Sequence, residues 1–256
     1  MRGKGFLWGI IMAILVLVGC RQNQDTASDK VKAGKNGVWD KNKSPASYSW
    51  SIYLVSSIDS GWAHTCALAS NGGVKCWGWN YRGQLGNGNN NDSNVPVDVS
   101  GLSSGISAIS AGLYHTCALT SSGSVKCWGY NSYGQIGNGN NTDSNVPVDV
   151  SGLSSGVSAI SVGQYHTCAL SSGGVKCWGA NWYGQLGNGN TADSNVPVDV
   201  SGLSSGVSAI SAGGAHTCAL LTSGGVKCWG YNYNGQLGNG NNTNSNVPVD
   251  VLGFGP

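Results

Sequence analysis

One block of sequence occurs four times in this chain, and that repetition constrains the fold more than any other feature. Each copy contains HTCAL, a short loop, VKCWG, then GQLGNG or GQIGNG, and NVPVDV. The first cysteines of successive copies are 51, 51 and 50 residues apart, because one residue is missing from the loop of the third copy. A unit of about 50 residues needs its neighbours to bury a core. We therefore expect an array of similar units, and not an enzyme domain with one unique centre.

The pattern inside each unit is typical of β-structure. HTCAL and VKCWG are short alternating runs, joined in the first copy by Ser70, Asn71 and Gly72, which suits a hairpin loop with glycine in the left-handed position. SAISAG and VPVDV supply two further strands. Four strands per unit with a recurring WG predict an all-β fold, a β-propeller with four blades present. The predicted hairpins lie at 64–78, 115–129, 166–179 and 216–230.

The sequence leaves open how the exposed edges at the two ends of a four-blade array are covered. A tight closed ring, an open arc, and a ring completed by a second chain as a homodimer are all compatible with the repeats. A strand exchange between the termini is a further route, in which residues 247–251 supply a strand missing before Ser56.

The N-terminus differs from the repeats. Arg2 and Lys4 precede an apolar run over 7–18, and the run ends at Cys20. This segment resembles the lipobox of a bacterial lipoprotein signal peptide. The resemblance implies a signal peptide over 1–19, lipidation (palmitate included) of Cys20, and a chain exported and anchored to the bacterial cell envelope, at the outer membrane or the cell surface. An ordinary secretory signal and a short membrane anchor are the alternatives.

Residues 20–47 are predicted to be a flexible tether between this anchor and a propeller domain over 48–256. Residues 21–47 carry six basic and three acidic side chains among polar residues and glycine, with almost no apolar content. Through the lipid on Cys20, the protein would have the membrane as a partner.

The cysteines agree with export. Of nine cysteines, eight remain when Cys20 is set aside, two in each repeat. The hairpin register places Cys66 opposite Cys76, and the shorter loop of the third copy still places Cys168 opposite Cys177. Opposed strand residues are close enough for a disulfide. We therefore predict the bridges Cys66–Cys76, Cys117–Cys127, Cys168–Cys177 and Cys218–Cys228. Zinc binding with the histidine that precedes each pair is the alternative, which this spacing fits less well.

At these motifs the chain resembles the regulator of chromosome condensation repeat family over residues 56–251. The resemblance implies a propeller whose closed members have seven blades. Known members imply two activities: nucleotide exchange on a small GTPase, and inhibition of β-lactamase by a secreted bacterial relative, the β-lactamase-inhibitory protein of type II, through loops on one face. The export signal and disulfides argue against an exchange role.

Charge and periodicity exclude other classes of function. Residues 48–256 carry five basic side chains and eight aspartates, so no basic stripe for nucleic acid is expected. One position of every repeat is a histidine, namely His64, His115, His166 and His216, and another is an aspartate, Asp98 and its copies. Because these residues recur in every blade, we expect them to form structural hydrogen bonds, which for the aspartates would be to neighbouring turns. We predict no catalytic residue, no metal and no cofactor. The Asn-rich loops lack the carboxylates of a calcium site and are typical of turns.

Two variable stretches carry the candidate functional residues. One precedes each repeated histidine and the other follows each WG, and antiparallel pairing places both at the same end of each hairpin. That face would hold eleven of the twenty Trp and Tyr residues, a composition typical of interaction sites. Tyr133 and Tyr183 are expected to be structural. The predicted partner-binding residues are Trp62, Trp79, Tyr81, Arg82, Tyr114, Tyr130, Tyr165, Trp182, Tyr231 and Tyr233.

The sequence thus predicts a non-catalytic envelope lipoprotein that binds a protein partner and inhibits an envelope or secreted enzyme. Glycan binding is the alternative, because Trp and Tyr platforms also stack on sugars, with Trp79 or Trp182 as the key ring. Packing of several rings between blades is the structural alternative.

Overall fold

The structure is a computed structural model and describes residues 54–254. In that range it is all β, with sixteen strands in four antiparallel sheets of four strands and no helix, as predicted. The predictions for 1–19, for Cys20 and for the whole tether over 20–47 lie outside the described residues. Between 54 and 254 there is no helix that could span a membrane.

Each sheet is one blade made of consecutive strands. The first blade contains β1 (Val55–Ser60), β2 (His64–Ala69), β3 (Val74–Gly78) and β4 (Ser93–Asp98). The second contains β5 (Ile106–Ala111), β6 (His115–Thr120), β7 (Val125–Gly129) and β8 (Ser144–Asp149). The third contains β9 (Val157–Val162), β10 (His166–Ser171), β11 (Gly174–Gly179) and β12 (Ser194–Asp199). The fourth contains β13 (Val207–Ala212), β14 (His216–Leu221), β15 (Val226–Gly230) and β16 (Ser245–Asp250).

The strand exchange between termini is wrong. The C-terminal strand β16 pairs with β15 of its own blade, and β1 already supplies the first strand of the first blade. Each copy of the repeat therefore encodes a complete blade, and no blade needs a strand from the other end of the described chain.

The hairpin register and the disulfides are as predicted. Cys66 lies opposite Cys76, and all four cross-strand pairs are disulfide-bonded. Gly72 has φ +80° in the first loop. In the third blade the shorter turn uses Ser172 and Gly173, both with positive φ, which matches the twist of a two-residue hairpin turn. That turn preserves the register of the third disulfide.

The core lies between the blades. Three apolar clusters fill the three junctions between consecutive blades, and in the first Leu68 and Val74 of one blade pack with Ile106 and Trp128 of the next. Gly86 covers the Trp128 ring with φ +68°, and a Cβ there would lie 2.7 Å from the indole Nε1. The blade junction, and not the single blade, is thus the unit of packing.

Candidate functional site: an aromatic face

The two variable stretches meet at one end of the blades. In the first hairpin His64 pairs with Gly78, so the residues before the histidine and those after the WG leave the sheet side by side. The same pairing joins His115 to Gly129 in the second blade. The prediction that both stretches share one face is confirmed by the contacts between their rings. We call this surface the aromatic face.

Eight rings of the first three blades form one continuous network of contacts. The ring centroids of Trp62 and Tyr114 lie 5.6 Å apart across the first junction, and those of Tyr133 and Trp182 lie 4.7 Å apart across the second. Most pairs meet edge to face, the arrangement that aromatic quadrupoles favour. The network contains Trp62, Trp79, Tyr81, Tyr114, Tyr130, Tyr133, Tyr165 and Trp182.

The fourth blade interrupts this network. Its stretch before the histidine is Gly214 and Ala215, where the second and third blades have tyrosine as the second residue. A cavity of about 330 Å³ opens there, lined by Ala215, Tyr183 and Tyr231 among others. Tyr183, Tyr231 and Tyr233 form a separate group, with 4.8 Å between the first two centroids. The aromatic face therefore has two parts with a cavity beside the smaller one.

Arg82 is the one cation of the aromatic face. Its guanidinium carbon lies 4.7 Å from the Tyr130 centroid and 5.3 Å from that of Tyr81, both within cation–π range. It also forms an ion pair with Asp143 of the next blade at 3.3 Å. The predicted Arg82 thus lies among the predicted rings, held between two blades.

The rings differ in what they offer to a partner. Tyr233, Trp62 and Tyr81 are the most exposed, at 73%, 67% and 64%. Tyr114, Tyr130 and Tyr165 are half-buried among other rings. Burial, and to a smaller extent the neighbouring tyrosines, raises the pKa of the Tyr165 phenol above its ordinary value. Tyr133 is half-buried inside the network, as expected of a structural ring, whereas Tyr183 is exposed and lines the cavity.

A buried asparagine holds the conformation of each loop that carries these rings through hydrogen bonds to the loop backbone and side chains. The Asn80 amide donates to Asn87 Oδ1 and to the carbonyls of Asn89 and Asn91, and its own oxygen accepts from the Leu85 amide. The equivalents Asn131, Asn181 and Asn232 make the same bonds. Sequence reasoning recognised turn-forming asparagines but did not single out this one, although its place two residues after WG in every copy is the signal.

Beneath the aromatic face, the repeated histidines join the blades. His64 Nε2 lies 2.8 Å from Thr116 Oγ1 in the next blade, and that hydroxyl donates to the Gln84 carbonyl. Because the threonine proton is used there, the imidazole must donate from Nε2. His115 and His166 repeat the arrangement, which confirms the predicted structural hydrogen bonds for three of the four copies. The threonine and the glutamine carbonyl are partners that sequence reasoning missed.

Burial keeps these imidazoles neutral. It lowers the pKa of His64 to about 4 and the pKa of His115 and His166 to about 3, because a charged ring would lose its hydration. His216 is only half-buried, and burial lowers its pKa as well.

The repeated aspartates have a different partner from the one expected. Asp98 pairs with Lys75 of the adjacent strand at 2.6 Å, and not with a neighbouring turn. Strand register causes this, since Lys75 and Asp98 lie directly opposite each other. The other three copies, Lys126–Asp149, Lys176–Asp199 and Lys227–Asp250, do the same.

Comparison with known proteins gives a consistent result. A family model described as the RCC1-like domain matches residues 19–254. The chain is similar to the ultraviolet-B receptor UVR8 of Arabidopsis thaliana, with 38% identity over 118 residues, covering 45% of this chain and 27% of the receptor. It is also similar to human protein RCC2, with 42% identity over 82 residues, covering 32% of this chain and 16% of RCC2. The chain thus spans well under half the length of these relatives.

Two solved structures agree with the blade arrangement. Human WBSCR16 matches with a TM-score of 0.70 and 27% identity, covering 78% of this chain and 54% of that one. Yeast RCC1 (Prp20), in its structure with Kap60, matches with a TM-score of 0.69 and 21% identity, covering 79% of this chain and 50% of that one. The second likeness concerns the fold alone.

Proposed function

Because this chain belongs to the RCC1-like domain family, we propose that it is a non-catalytic scaffold that binds a protein partner through the aromatic face. Yeast Prp20 was solved with a protein, Kap60, and a second structure of it is described with binding to Gsp1p and histones. The analogy supports a protein as the class of partner.

The continuity of the eight-ring network, the larger part of the aromatic face, carries the proposal. Rings from three blades touch one another, and Trp62, Tyr81 and Trp182 of this network are exposed. Tyr, Trp and Arg are the residues that dominate the binding energy of protein interfaces. Blade packing holds the loops, so little conformational entropy is lost when a partner binds. A broad, rigid, aromatic surface fits a folded protein.

The geometry of the tryptophans favours protein over glycan. A sugar needs a free indole face, but Trp79 is stacked on Tyr81 at 6.0 Å with 17° between the planes and has Tyr114 close by at 5.2 Å. Trp182 packs against Tyr133 and Tyr165. Neither ring forms an isolated platform, so glycan binding is the weaker proposal.

We place this activity at the cell envelope. Four disulfides support folding in an oxidising compartment, and the lipobox-like segment ending at Cys20 would provide export and a membrane anchor. There the scaffold would inhibit an envelope or secreted enzyme by covering its active site with the aromatic face. Nucleotide exchange on a cytosolic GTPase does not fit this compartment.

The test is capture by the immobilised, oxidised full chain from the native envelope and secreted fractions. One variant replaces the exposed rings: Trp62→Ser, Tyr81→Ser, Trp182→Ser and Tyr233→Ser. A matched control removes exposed apolar side chains from outer strands instead, with Val95→Ser and Val247→Ser, both outside the aromatic face. Bound material is analysed for protein and for carbohydrate.

We expect a protein that the native chain and the control retain and that the ring variant loses at least tenfold. Retention of carbohydrate with the same dependence on the rings would replace the proposal by glycan binding. Equal retention by all three chains would show that the rings are structural and would overturn the proposal. If an enzyme is captured, its activity is titrated with the native chain, and an unchanged rate at saturation would remove the inhibitory role.

A further inference from the structure

The two ends of the arc carry the two halves of a junction that the chain builds three times internally. Every internal junction has a trailing half on the earlier blade, with the histidine and glutamine carbonyl, and a leading half on the later blade, with the threonine and tryptophan. At the first junction Gln84 O accepts from both Thr116 and Trp128 Nε1, the latter at 2.8 Å. The third junction repeats this with Gln185, Thr217 and Trp229.

The leading half on the first blade lacks its partner within the described chain. We call it the leading edge, formed by Val55, Ile58, Thr65, Ala67 and Trp77. Val55 is 59% exposed, whereas its equivalents Ile106, Val157 and Val207 are 6% exposed or less. Trp77 is only half-buried, whereas Trp128, Trp178 and Trp229 are fully buried. All five residues of the leading edge are the same types as their equivalents in the internal junctions, or close to them. Ile58 is also 62% exposed.

The trailing half on the fourth blade is open in the same way. We call it the trailing edge, formed by His216, Leu220, Val226, Gln236 and Gly238. Leu220 is 42% exposed, whereas its equivalents Leu68, Leu119 and Leu170 are 5% exposed or less. Gly238 is exposed, but the equivalent Gly187 is covered by the Trp229 ring. A shallow apolar groove lined by Ile210, Leu220 and Val226 marks where a following blade would pack.

We infer that the trailing edge of one copy binds the leading edge of a second copy of this chain, and that two such junctions close a ring of eight blades. Within the part of the chain that the structure describes, the two edges do not cover each other. They are nevertheless complementary, because each junction inside the chain joins the same two surfaces. A head-to-tail contact of this kind forms a ring when its rotation closes.

The blade count sets the size of the ring. One chain supplies four blades, so two chains supply eight, one more than the seven blades of the closed members that the repeats resemble. Eight blades lie within the range found in propellers and need roughly 45° per blade. Unlike the proposed function, this inference concerns the edges and not the aromatic face, so either can fail without the other.

The first experiment counts chains by native mass spectrometry of the oxidised full chain over a concentration series, with detergent present to release lipid contacts. The substitution Leu220→Lys disables the trailing edge, and Val55→Lys disables the leading edge. Because both side chains are already exposed, each variant should keep the thermal unfolding midpoint of the native monomer. Val196→Lys on the outer strand of the third blade is the control. We expect two chains per particle, and a dimer dissociation constant at least tenfold higher for either edge variant but unchanged for the control.

Mixing the two edge variants makes the test specific for a head-to-tail contact. The Val55→Lys chain has an intact trailing edge, and the Leu220→Lys chain has an intact leading edge, so the mixture regains one native junction and should form heterodimers at concentrations where neither variant dimerises alone. Single chains at all concentrations, whether the edges are covered by residues 1–53 or left free, would overturn the inference. An open series of larger oligomers, or no gain on mixing, would overturn it as well.

Discussion

The buried blade junctions and the aromatic face come from the same repeated sequence, but the copies agree in one region and differ in the other. His64, Thr116 and Gln84 at one junction have identical counterparts at the next two. A few ångströms away the residues before the histidine are Trp–Ala, Leu–Tyr, Gln–Tyr and Gly–Ala. The contrast places stability where the copies coincide and are buried, and it places the proposed recognition where they diverge and are exposed.

The largest effect on the free energy of unfolding should distinguish a buried tryptophan of a blade junction from an exposed tryptophan of the aromatic face. Trp128→Ala removes a fully buried ring and its hydrogen bond to the Gln84 carbonyl, and we expect the free energy of unfolding to fall by about 3 to 5 kcal/mol. Trp62→Ala removes a ring that is mostly exposed, and the change should stay within about 1 kcal/mol. Chemical denaturation of the oxidised proteins measures both. Equal losses would break the distinction between junction and face.

The disulfides should come next. Replacing Cys117 and Cys127 together by alanine opens a short loop, and we expect a loss of about 2 to 3 kcal/mol in the free energy of unfolding. Because the bridge lies in the sheet and not on the aromatic face, partner capture should be kept at temperatures where the variant is folded. Loss of capture by a folded variant would mean that the face depends on the bridge.

Acid should weaken the junctions through their histidines. Between pH 6.5 and about 3 the unfolded chain binds a proton at His115 that the folded chain does not. The contribution of His115 to the free energy of unfolding is therefore complete above pH 6.5. Below that pH it falls by about 1.4 kcal/mol per pH unit. His115→Gln keeps an amide donor for Thr167 without this titration. Its unfolding free energy, measured from pH 4.5 to 8, should have a correspondingly smaller slope.

His216→Gln provides the matched control for that measurement. In the monomer, at concentrations where the two edges do not associate, His216 is half-buried and has no threonine partner within residues 54–254. Removing its titration there should change the slope less than removing that of His115. Equal changes would show that burial at the junction is not the cause of the acid sensitivity.

Much of the fold was predictable because it depends on loop lengths and on the spacing of residues along the strands. Loop length and antiparallel pairing determine that Cys66 faces Cys76, and the same count puts both variable stretches at one end of the blade. The partners of His64 and Asp98 were not predictable in this way. The first lies on the next blade, so it depends on how two sheets pack, and the second depends on the register of a strand reached through a long loop. Ring exposure also depends on neighbouring loops, which is why Tyr183 differed from expectation.

The smallest effect tests whether repetition alone indicates stability. The pair Lys126–Asp149 recurs in every blade as faithfully as the histidine does, but its carboxylate is 78% exposed. An exposed ion pair gains little, because water screens the charges and two side chains lose freedom, so Lys126→Met should change the free energy of unfolding by about 0.5 kcal/mol or less. A double-mutant cycle with Asp149→Asn, measured at low and high salt, isolates the pair itself. A coupling well above about 1 kcal/mol would mean that repetition marks stabilising contacts even at the surface. A small coupling that disappears in salt would leave burial at the blade junction as the property that distinguishes the stabilising repeats from the rest.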